Sequence, residues 1–262
     1  MTRWIFFGYS VACHLMFLAV YAYFAGFTGN LLVPKSVDAP AAAPWAAAAA
    51  INVALLLGFG LQHSVMARPG FKRRWTRIVP KPIERSTYVL ASNLVLIAVM
   101  ALWQPINAVV WDVQNPLGRG ALWALFAAGW LMVPAVSLMI NHFDLFGTRQ
   151  AWLHLRGREY SPLPFRTPLL YAHMRHPLYV GWALAFWATP TMTVGHLLLA
   201  GVLTAYMALA ALIEERDLVA HFGRQYVEYA RSVPRYLPRL GALRRSPARA
   251  SRLAEDDSTV GA

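Results

Sequence analysis

Residues 175–215 read RHPLYVGWALAFWATPTMTVGHLLLAGVLTAYMALAALIEE and contain two apolar runs separated by a short polar segment. The second run, Met192–Ile213, is long enough to cross a bilayer, which requires about 20 apolar residues. The first run, Leu178–Ala188, is shorter, since a helix of 11–13 residues spans roughly 16–20 Å. Because Thr189-Pro190-Thr191 favours a turn between them, the two runs are predicted to form a helical hairpin.

Four further apolar runs precede this hairpin and are long enough to cross a bilayer: Trp4–Phe27, Trp45–Met66, Thr87–Trp103 and Ala121–Ile140. The chain is 58% hydrophobic and 14% charged, whereas soluble domains carry roughly 25% charged residues. The N-terminal run, Trp4–Phe27, lacks the cleavage site of a signal peptide and is long enough to remain as a helix. We therefore expect an all-α polytopic membrane bundle of five to six transmembrane helices.

Basic residues are concentrated in alternate loops of a chain whose net charge is +12. Segment 67–86 holds seven Lys and Arg residues against one acid, segment 142–177 holds five arginines, and the tail after Ile213 holds nine. Basic loops stay on the cytoplasmic side of a membrane, so both termini and these loops are predicted to face the cytoplasm of a bacterial inner membrane. Charge placed in short blocks between apolar runs favours lipid over nucleic acid as the partner.

The string Arg175-His176-Pro177-Leu178-Tyr179 opens the hairpin on the predicted cytoplasmic face. Proline suits the first helical turn, and the free N–H groups of a helix N-terminus can bind a carboxylate or phosphate. Gly181, a few residues later, permits close approach of a backbone or ligand. The alternative is an interfacial anchor, in which basic and aromatic residues lie at the headgroup level.

Two further strings follow on the same face. Glu214-Glu215 can pair with arginines or hold a cationic ligand, and the alternative is a solvated helix end with weak ion pairs. Segment 221–238 mixes aromatic residues and arginines at helical spacing. Tyr226 and Tyr229 in that segment are candidates to line a cleft for a flat heterocycle, and the alternative is an amphipathic helix lying on anionic lipid.

Together the three strings resemble the C-terminal signature of integral-membrane methyltransferases related to isoprenylcysteine carboxyl methyltransferase and the phospholipid methyltransferases. That signature reads R-H-P-x-Y-x-G, then E-E-x-x-L, then F-G-x-x-Y-x-x-Y-x-x-x-V-P-R, and the chain matches it in order over residues 175–235. The resemblance implies S-adenosylmethionine as the cofactor. The candidate cofactor-binding residues are His173, Arg175, His176, Tyr179, Gly181, Glu214, Glu215, Tyr226, Tyr229 and Arg235.

The remaining part of the chain narrows the resemblance. Segments 62–72 and 82–88 look like the branch that contains NnrU-like proteins and the methanethiol S-methyltransferases, and segment 141–150 is similar to the latter. The resemblance implies methylation of methanethiol to dimethyl sulfide. Three alternatives stay open: a lipid or prenylcysteine acceptor, an NADPH-dependent membrane reductase with a similar C-terminal signature, and a non-enzymatic NnrU-like membrane protein.

Transfer of a methyl group to a thiol requires the thiolate, because the thiol is a poor nucleophile. We predict that His142 and Tyr88 lie near the thiol, with His142 as a direct or water-mediated base. Glu84 and Arg85 are predicted to orient them, because all four residues lie at cytoplasmic helix ends. The alternatives are a structural histidine and a simple Glu84–Arg85 ion pair.

These interpretations divide the chain into three regions. Residues 1–141 hold four transmembrane helices and the basic cytosolic loop 67–86. Residues 142–240 hold a cytosolic loop, the hairpin and a cytosolic C-terminal cofactor-binding module, and residues 241–262 are predicted to be a disordered tail. The single cysteine, Cys13, excludes an intramolecular disulfide, and no residue is assigned as a metal ligand.

Overall fold

The computed structural model describes residues 1–238, so the predicted disordered tail lies outside the described residues. In chain order the elements are α1 (Thr2–Gly29), α2 (Trp45–Ala67), α3 (Pro69–Trp75), α4 (Lys81–Leu102), β1 (Val109–Asp112), α5 (Pro116–Ile140), α6 (His142–Leu145), α7 (Thr148–Leu155), a 3-10 helix (Leu169–Ala172), α8 (Pro177–Trp187), β2 (Thr191–Thr193), α9 (Val194–Phe222) and α10 (Arg224–Ser232). Helices α1, α2, α4, α5 and α9 are long and apolar enough to cross a membrane. The predicted helical architecture is therefore confirmed in its main part, a mostly helical chain with five candidate membrane-spanning helices.

Thr189 and Pro190 lie in the connection between the two hairpin helices, as expected, but Thr191 begins a short strand of a small sheet. Strand β2 pairs antiparallel with β1, and Asp112 lies opposite Thr191. Strands of four and three residues are too short to show the alternating pattern that identifies a strand in sequence. Helix α8 has 11 residues, which corresponds to about 16 Å, and the residues after it continue to the sheet at the far end of the bundle.

All loops with few charges meet at the end of the bundle that contains β1 and β2, here named the ribbon end. The indole Nε1 of Trp103 donates a hydrogen bond to the carbonyl of Val37 at 3.1 Å, and the Thr193 hydroxyl donates to Asp38 at 2.5 Å. The opposite end, here named the basic end, contains segments 67–86 and 142–177. The chain therefore alternates between the two ends in the order that loop charge predicts.

Helix α9 extends nine residues beyond the apolar run and ends at Gly223, whose φ of 57° favours glycine. Glu214 and Glu215 consequently lie inside a helix and not beyond its end. Helix α4 likewise begins at Lys81, earlier than the apolar run indicates, because polar residues can form the first helical turn at a membrane surface.

A proline inside α5 leaves one backbone carbonyl without its helical hydrogen-bond donor, and a side chain of α1 supplies that donor. Pro134 has no backbone N–H, so the carbonyl of Trp130 lacks its helical donor. The hydroxyl of Tyr21 on α1 donates to that carbonyl at 2.5 Å. The contact joins α1 and α5 in the middle of the bundle, where an unsatisfied carbonyl would be costly.

Helices α5 and α8 pack closely because glycine lies at their crossing. A Cβ atom added at Gly129 would lie 2.5 Å from the backbone nitrogen of Ala185 and 2.8 Å from the carbonyl oxygen of Gly181. We expect Gly129→Ala to destabilise the protein by about 1–3 kcal/mol, since backbone atoms must move to accept the methyl group. Gly120→Ala on the same helix is the control, because a Cβ atom there meets nothing within 4 Å. Thermal unfolding in detergent measures both, and equal midpoints would contradict the prediction.

Candidate active site

A carboxylate on α9 is the centre of an ionic network at the basic end. Glu215 accepts hydrogen bonds from Arg175 Nε at 2.9 Å and from Arg235 Nε and Nη2 at 3.1 and 2.6 Å. His176 Nε2 lies 3.0 Å from the same carboxylate. The hydrogen bond to Glu215 raises the pKa of Arg235. Because the Glu215 side chain is only 13% exposed, this carboxylate holds the protein together and is shielded from a ligand.

Backbone contacts bring the residues of this network together. The N–H groups of Arg175 and His176 donate to the carbonyls of Pro234 and Arg235, each at 3.0 Å. The Arg175 guanidinium also donates to the carbonyl of Val233 at 3.0 Å and to that of Ala230. The chain after α10 is thereby fixed against the start of α8. This contact explains why the string at residues 175–179 occurs together with the string in segment 221–238.

The neighbouring Glu214 is much more open. Its side chain is 48% exposed, and it accepts one hydrogen bond, from the Tyr179 hydroxyl to Oε2 at 2.9 Å. Its other oxygen, Oε1, makes no hydrogen bond within residues 1–238. The Tyr179 ring stacks on His176 with centroids 5.1 Å apart. Of the two adjacent carboxylates, Glu214 is therefore the one available to a cationic ligand.

The predicted aromatic residues form a packed cluster. Tyr226 is 3% exposed, and burial raises its pKa to about 12. Its ring lies 5.7 Å from that of Tyr229 at 62°, and Phe165 contacts both rings. The Tyr229 hydroxyl donates to the carbonyl of Tyr171 at 2.6 Å. The two tyrosines are not parallel, so the structure shows no flat slot between them.

The two remaining cofactor candidates take no part in the hydrogen bonds of the ionic network. Gly181 faces α5, where a Cβ atom would come within 3.3 Å of Met132, so its visible role is helix packing. His173 ends the 3-10 helix and is partly buried. Its side chain makes no hydrogen bond with another described residue.

A cavity of about 350 Å³ lies between the helices beside this network. Its wall is mostly apolar. The polar side chains that line it are Tyr21, His63, Arg85, Tyr88, Ser92, Asn93, Ser137, His142, Tyr179 and Tyr206. Among the described residues, Arg85 is the only lysine or arginine in the wall. An apolar cavity with a few convergent polar groups is the usual form of a small-molecule site.

Three of the four predicted catalytic residues line this cavity. The guanidinium carbon of Arg85 lies 5.3 Å from the centre of the Tyr88 ring, and Arg85 Nε donates to the carbonyl of Leu145 at 2.9 Å. Leu145 belongs to α6, the same short helix as His142. Arg85 therefore connects Tyr88 to the helix that carries His142. Glu84 is partly buried outside the cavity wall and makes no hydrogen bond within residues 1–238, so the structure does not bring it to the other three.

Several polar residues of this site were not predicted from the sequence. Tyr88 hydrogen-bonds to His63 Nε2 at 2.8 Å, and His63 lies on the last turns of α2. His142 contacts Ser137 at 2.7 Å and His14 at 2.8 Å. Burial lowers the pKa of His142, which favours the neutral ring at pH 7. His14 lies in the middle of an apolar run, and only its packing against α6 distinguishes it.

Tyr179 connects the two parts of the site. Its ring lines the cavity with His142 and Arg85, while its hydroxyl donates to Glu214 in the exposed part of the network. Within residues 1–238, no three His, Cys, Asp or Glu side chains cluster as metal ligands do. The arrangement is suited to binding a cationic ligand at Glu214 with a small apolar molecule beside it.

Comparison with known proteins gives several relatives that share about half of their residues with this chain, and a more distant one. The chain is 50% identical to a methanethiol S-methyltransferase of Mycobacterium tuberculosis over 238 residues, which are 91% of this chain and 98% of the relative. It is 49% identical to a methanethiol S-methyltransferase of Crocosphaera subtropica over 89% of this chain and 91% of the relative. Human nurim is 33% identical over 64% of this chain and 66% of its own length. No family model and no solved structure matches the chain significantly.

Proposed function

The chain belongs to the methanethiol S-methyltransferase family, and we therefore infer that it methylates the sulfur of methanethiol to form dimethyl sulfide. We propose S-adenosylmethionine as the methyl donor. The observation that carries the site assignment is the position of Tyr179, which is shared by the cavity and the Glu214 carboxylate. A donor bound at Glu214 would then lie next to an acceptor bound in the cavity.

The residues present fit the charged end of such a donor. The Glu214 side chain is 48% exposed and its Oε1 makes no hydrogen bond within residues 1–238, which suits an ammonium or sulfonium group. Arg235 uses Nε and Nη2 for Glu215 and leaves Nη1 without a partner in the described part of the chain, which suits a carboxylate. The Tyr179 ring adds an aromatic face for a cation. Glu215, Arg175 and His176 would hold these groups in place.

The acceptor part of the reaction falls to residues of the cavity. When bound, S-adenosylmethionine supplies an electrophilic methyl group on a sulfonium sulfur. Arg85 would stabilise the thiolate, because a cation in an apolar wall attracts an anion more strongly than it does in water. His142 would act as the base for the thiol proton, directly or through an intervening group, and Tyr88, held by His63, would position the sulfur. The mostly apolar wall of the cavity would suit methanethiol, since this substrate offers few polar contacts.

We further propose that the protein lies in a bacterial inner membrane with the basic end in the cytoplasm. Segments 67–86 and 142–177 carry most of the loop charge and lie at the same end of the bundle as Glu214. The positive-inside rule places that end in the cytoplasm, where S-adenosylmethionine is made.

Product analysis tests the proposed function directly. Purified protein in detergent is given S-adenosylmethionine with a labelled methyl group and methanethiol, and headspace gas chromatography measures labelled dimethyl sulfide. Parallel reactions contain phospholipid, a prenylcysteine or NADPH with a sterol. Labelled dimethyl sulfide is the expected product. Label transferred only to a lipid or prenylcysteine, or oxidation of NADPH, would overturn the assignment.

Glu214→Gln is expected to raise the dissociation constant for S-adenosylmethionine by about 10-fold or more, because a charge-assisted contact contributes about 1.5–3 kcal/mol. The substitution keeps the shape of the side chain and removes only its charge. Glu228→Gln on the exposed face of α10 is the matched control, since that side chain is 62% exposed. Isothermal titration calorimetry measures both. An unchanged constant in the Glu214 variant would remove this carboxylate from the cofactor site.

A further inference from the structure

Both ring nitrogens of His142 are engaged by neighbouring residues. Nδ1 lies 2.7 Å from the Ser137 hydroxyl, and Nε2 lies 2.8 Å from Nε2 of His14. Ser137 itself donates to the carbonyl of Pro134 at 2.8 Å. The three side chains thus form one continuous hydrogen-bonded chain that runs from α5 through α6 to α1.

The hydrogen bonds determine where the protons lie in this chain. A hydroxyl has one hydrogen, so Ser137 that donates to Pro134 accepts from His142, and Nδ1 of His142 carries the proton. Nε2 of His142 is then an acceptor, and His14 Nε2 donates to it. If the Ser137 hydroxyl turns to Nδ1, every donor and acceptor in the chain reverses. The same atoms satisfy both arrangements, which is the property that a proton relay needs.

The chain also connects two separate spaces. Ser137 and His142 line the cavity, whereas His14 lines a groove of about 610 Å³ between α1, α6 and α7. Leu18 contributes to the wall of both spaces. Nδ1 of His14 makes no hydrogen bond with any described residue. It is therefore free to release or accept a proton at the end of the chain away from the cavity.

We propose that Ser137, His142 and His14 form a relay that carries the thiol proton from the cavity to the groove. This inference rests on the proposed function, in which the thiol must lose its proton. The transfer starts from the reversed arrangement, in which the Ser137 hydroxyl points to His142 Nδ1, and His142 Nε2 and His14 Nδ1 carry the protons. The thiol gives its proton to Ser137 Oγ as the Ser137 proton passes to His142 Nδ1. His142 Nε2–H passes to His14 Nε2, and His14 Nδ1–H leaves into the groove. The sulfur forms its bond to the methyl carbon as the donor carbon–sulfur bond breaks, so the reaction yields dimethyl sulfide, the demethylated donor and one proton.

A purely structural role for His14 is the competing explanation, because its ring stacks on Phe146 with centroids 5.1 Å apart. Two substitutions separate the roles. His14→Phe keeps an aromatic ring and removes the hydrogen bond. His14→Gln keeps an N–H donor for His142 but has no second ring nitrogen to pass a proton on, so it preserves positioning and removes the relay.

The test compares methanethiol with methaneselenol, which has the same shape and is largely ionised at neutral pH. We expect both His14 variants to lower kcat for methanethiol by at least about 10-fold and to leave kcat for methaneselenol within about twofold of the unsubstituted protein. His154→Gln is the control, because this histidine lies on α7 outside the relay. The unsubstituted protein is also expected to react more slowly with methanethiol in D₂O, and the His14 variants to change that isotope effect.

Each other outcome overturns the relay. An equal loss with both substrates would indicate a structural role for His14, and normal turnover of methanethiol by His14→Gln would indicate positioning alone. If the unsubstituted protein forms neither dimethyl sulfide nor its selenium analogue, the proposed function fails first. Failure of the proposed function is distinguishable from failure of the relay, because it is seen in the unsubstituted protein and needs no variant.

Discussion

Replacing His142 with alanine is expected to lower kcat for methanethiol by about 10²–10⁴-fold, the usual contribution of a positioned acid or base. The affinity for S-adenosylmethionine should not change, because His142 contacts Ser137 and His14 and has no hydrogen bond to the Glu214–Glu215 network. Dimethyl sulfide release measures turnover, and calorimetry measures cofactor binding. The large expected effect has two sources: the loss of the proton acceptor and the loss of the partner of His14.

The control for this prediction is His221→Ala, which removes an exposed histidine near the end of α9. It should leave turnover and affinity unchanged. Unchanged turnover in His142→Ala would exclude this residue from the mechanism. A parallel fall in turnover and cofactor affinity would assign it to the cofactor site or to folding.

Glu215→Ala is expected to destabilise the protein by about 3 kcal/mol, the lower end of the cost of breaking a buried ion pair, because these partners are mostly but not fully buried. Glu215 is 13% exposed and neutralises Arg175, which is 11% exposed, together with Arg235. Without this carboxylate, Arg175 would keep only its backbone carbonyl acceptors. Thermal unfolding in detergent, followed by circular dichroism, measures the change.

The neighbouring carboxylate provides the internal comparison for this prediction. Glu214→Gln should keep the unfolding midpoint of the unsubstituted protein, since its side chain is about half exposed and makes one side-chain hydrogen bond. Glu215→Ala should instead lower it markedly. If the two variants unfold at the same temperature, the division between a structural and a ligand-binding carboxylate is wrong.

Local patterns in the sequence were sufficient for the membrane architecture. Apolar runs such as Trp45–Met66 predicted their helices within a few residues, because backbone hydrogen bonds in lipid must be satisfied inside each segment. Loop charge predicted which segments share an end of the bundle. Where a helix boundary was wrong, as at the end of α9, polar residues continued the helix outside the apolar core.

The tertiary structure alone decided the roles of individual side chains. The sequence places Glu214 and Glu215 side by side and does not distinguish them. Contacts with residues 20 to 40 positions away make Glu215 the centre of the ionic network and leave Glu214 open. It also gave no reason to join His14 to His142, which are 128 residues apart. Apolarity and helical period are properties of neighbouring residues, so they can be read directly from the sequence. A hydrogen bond between distant side chains depends on how the helices pack, so it exists only once the bundle has formed.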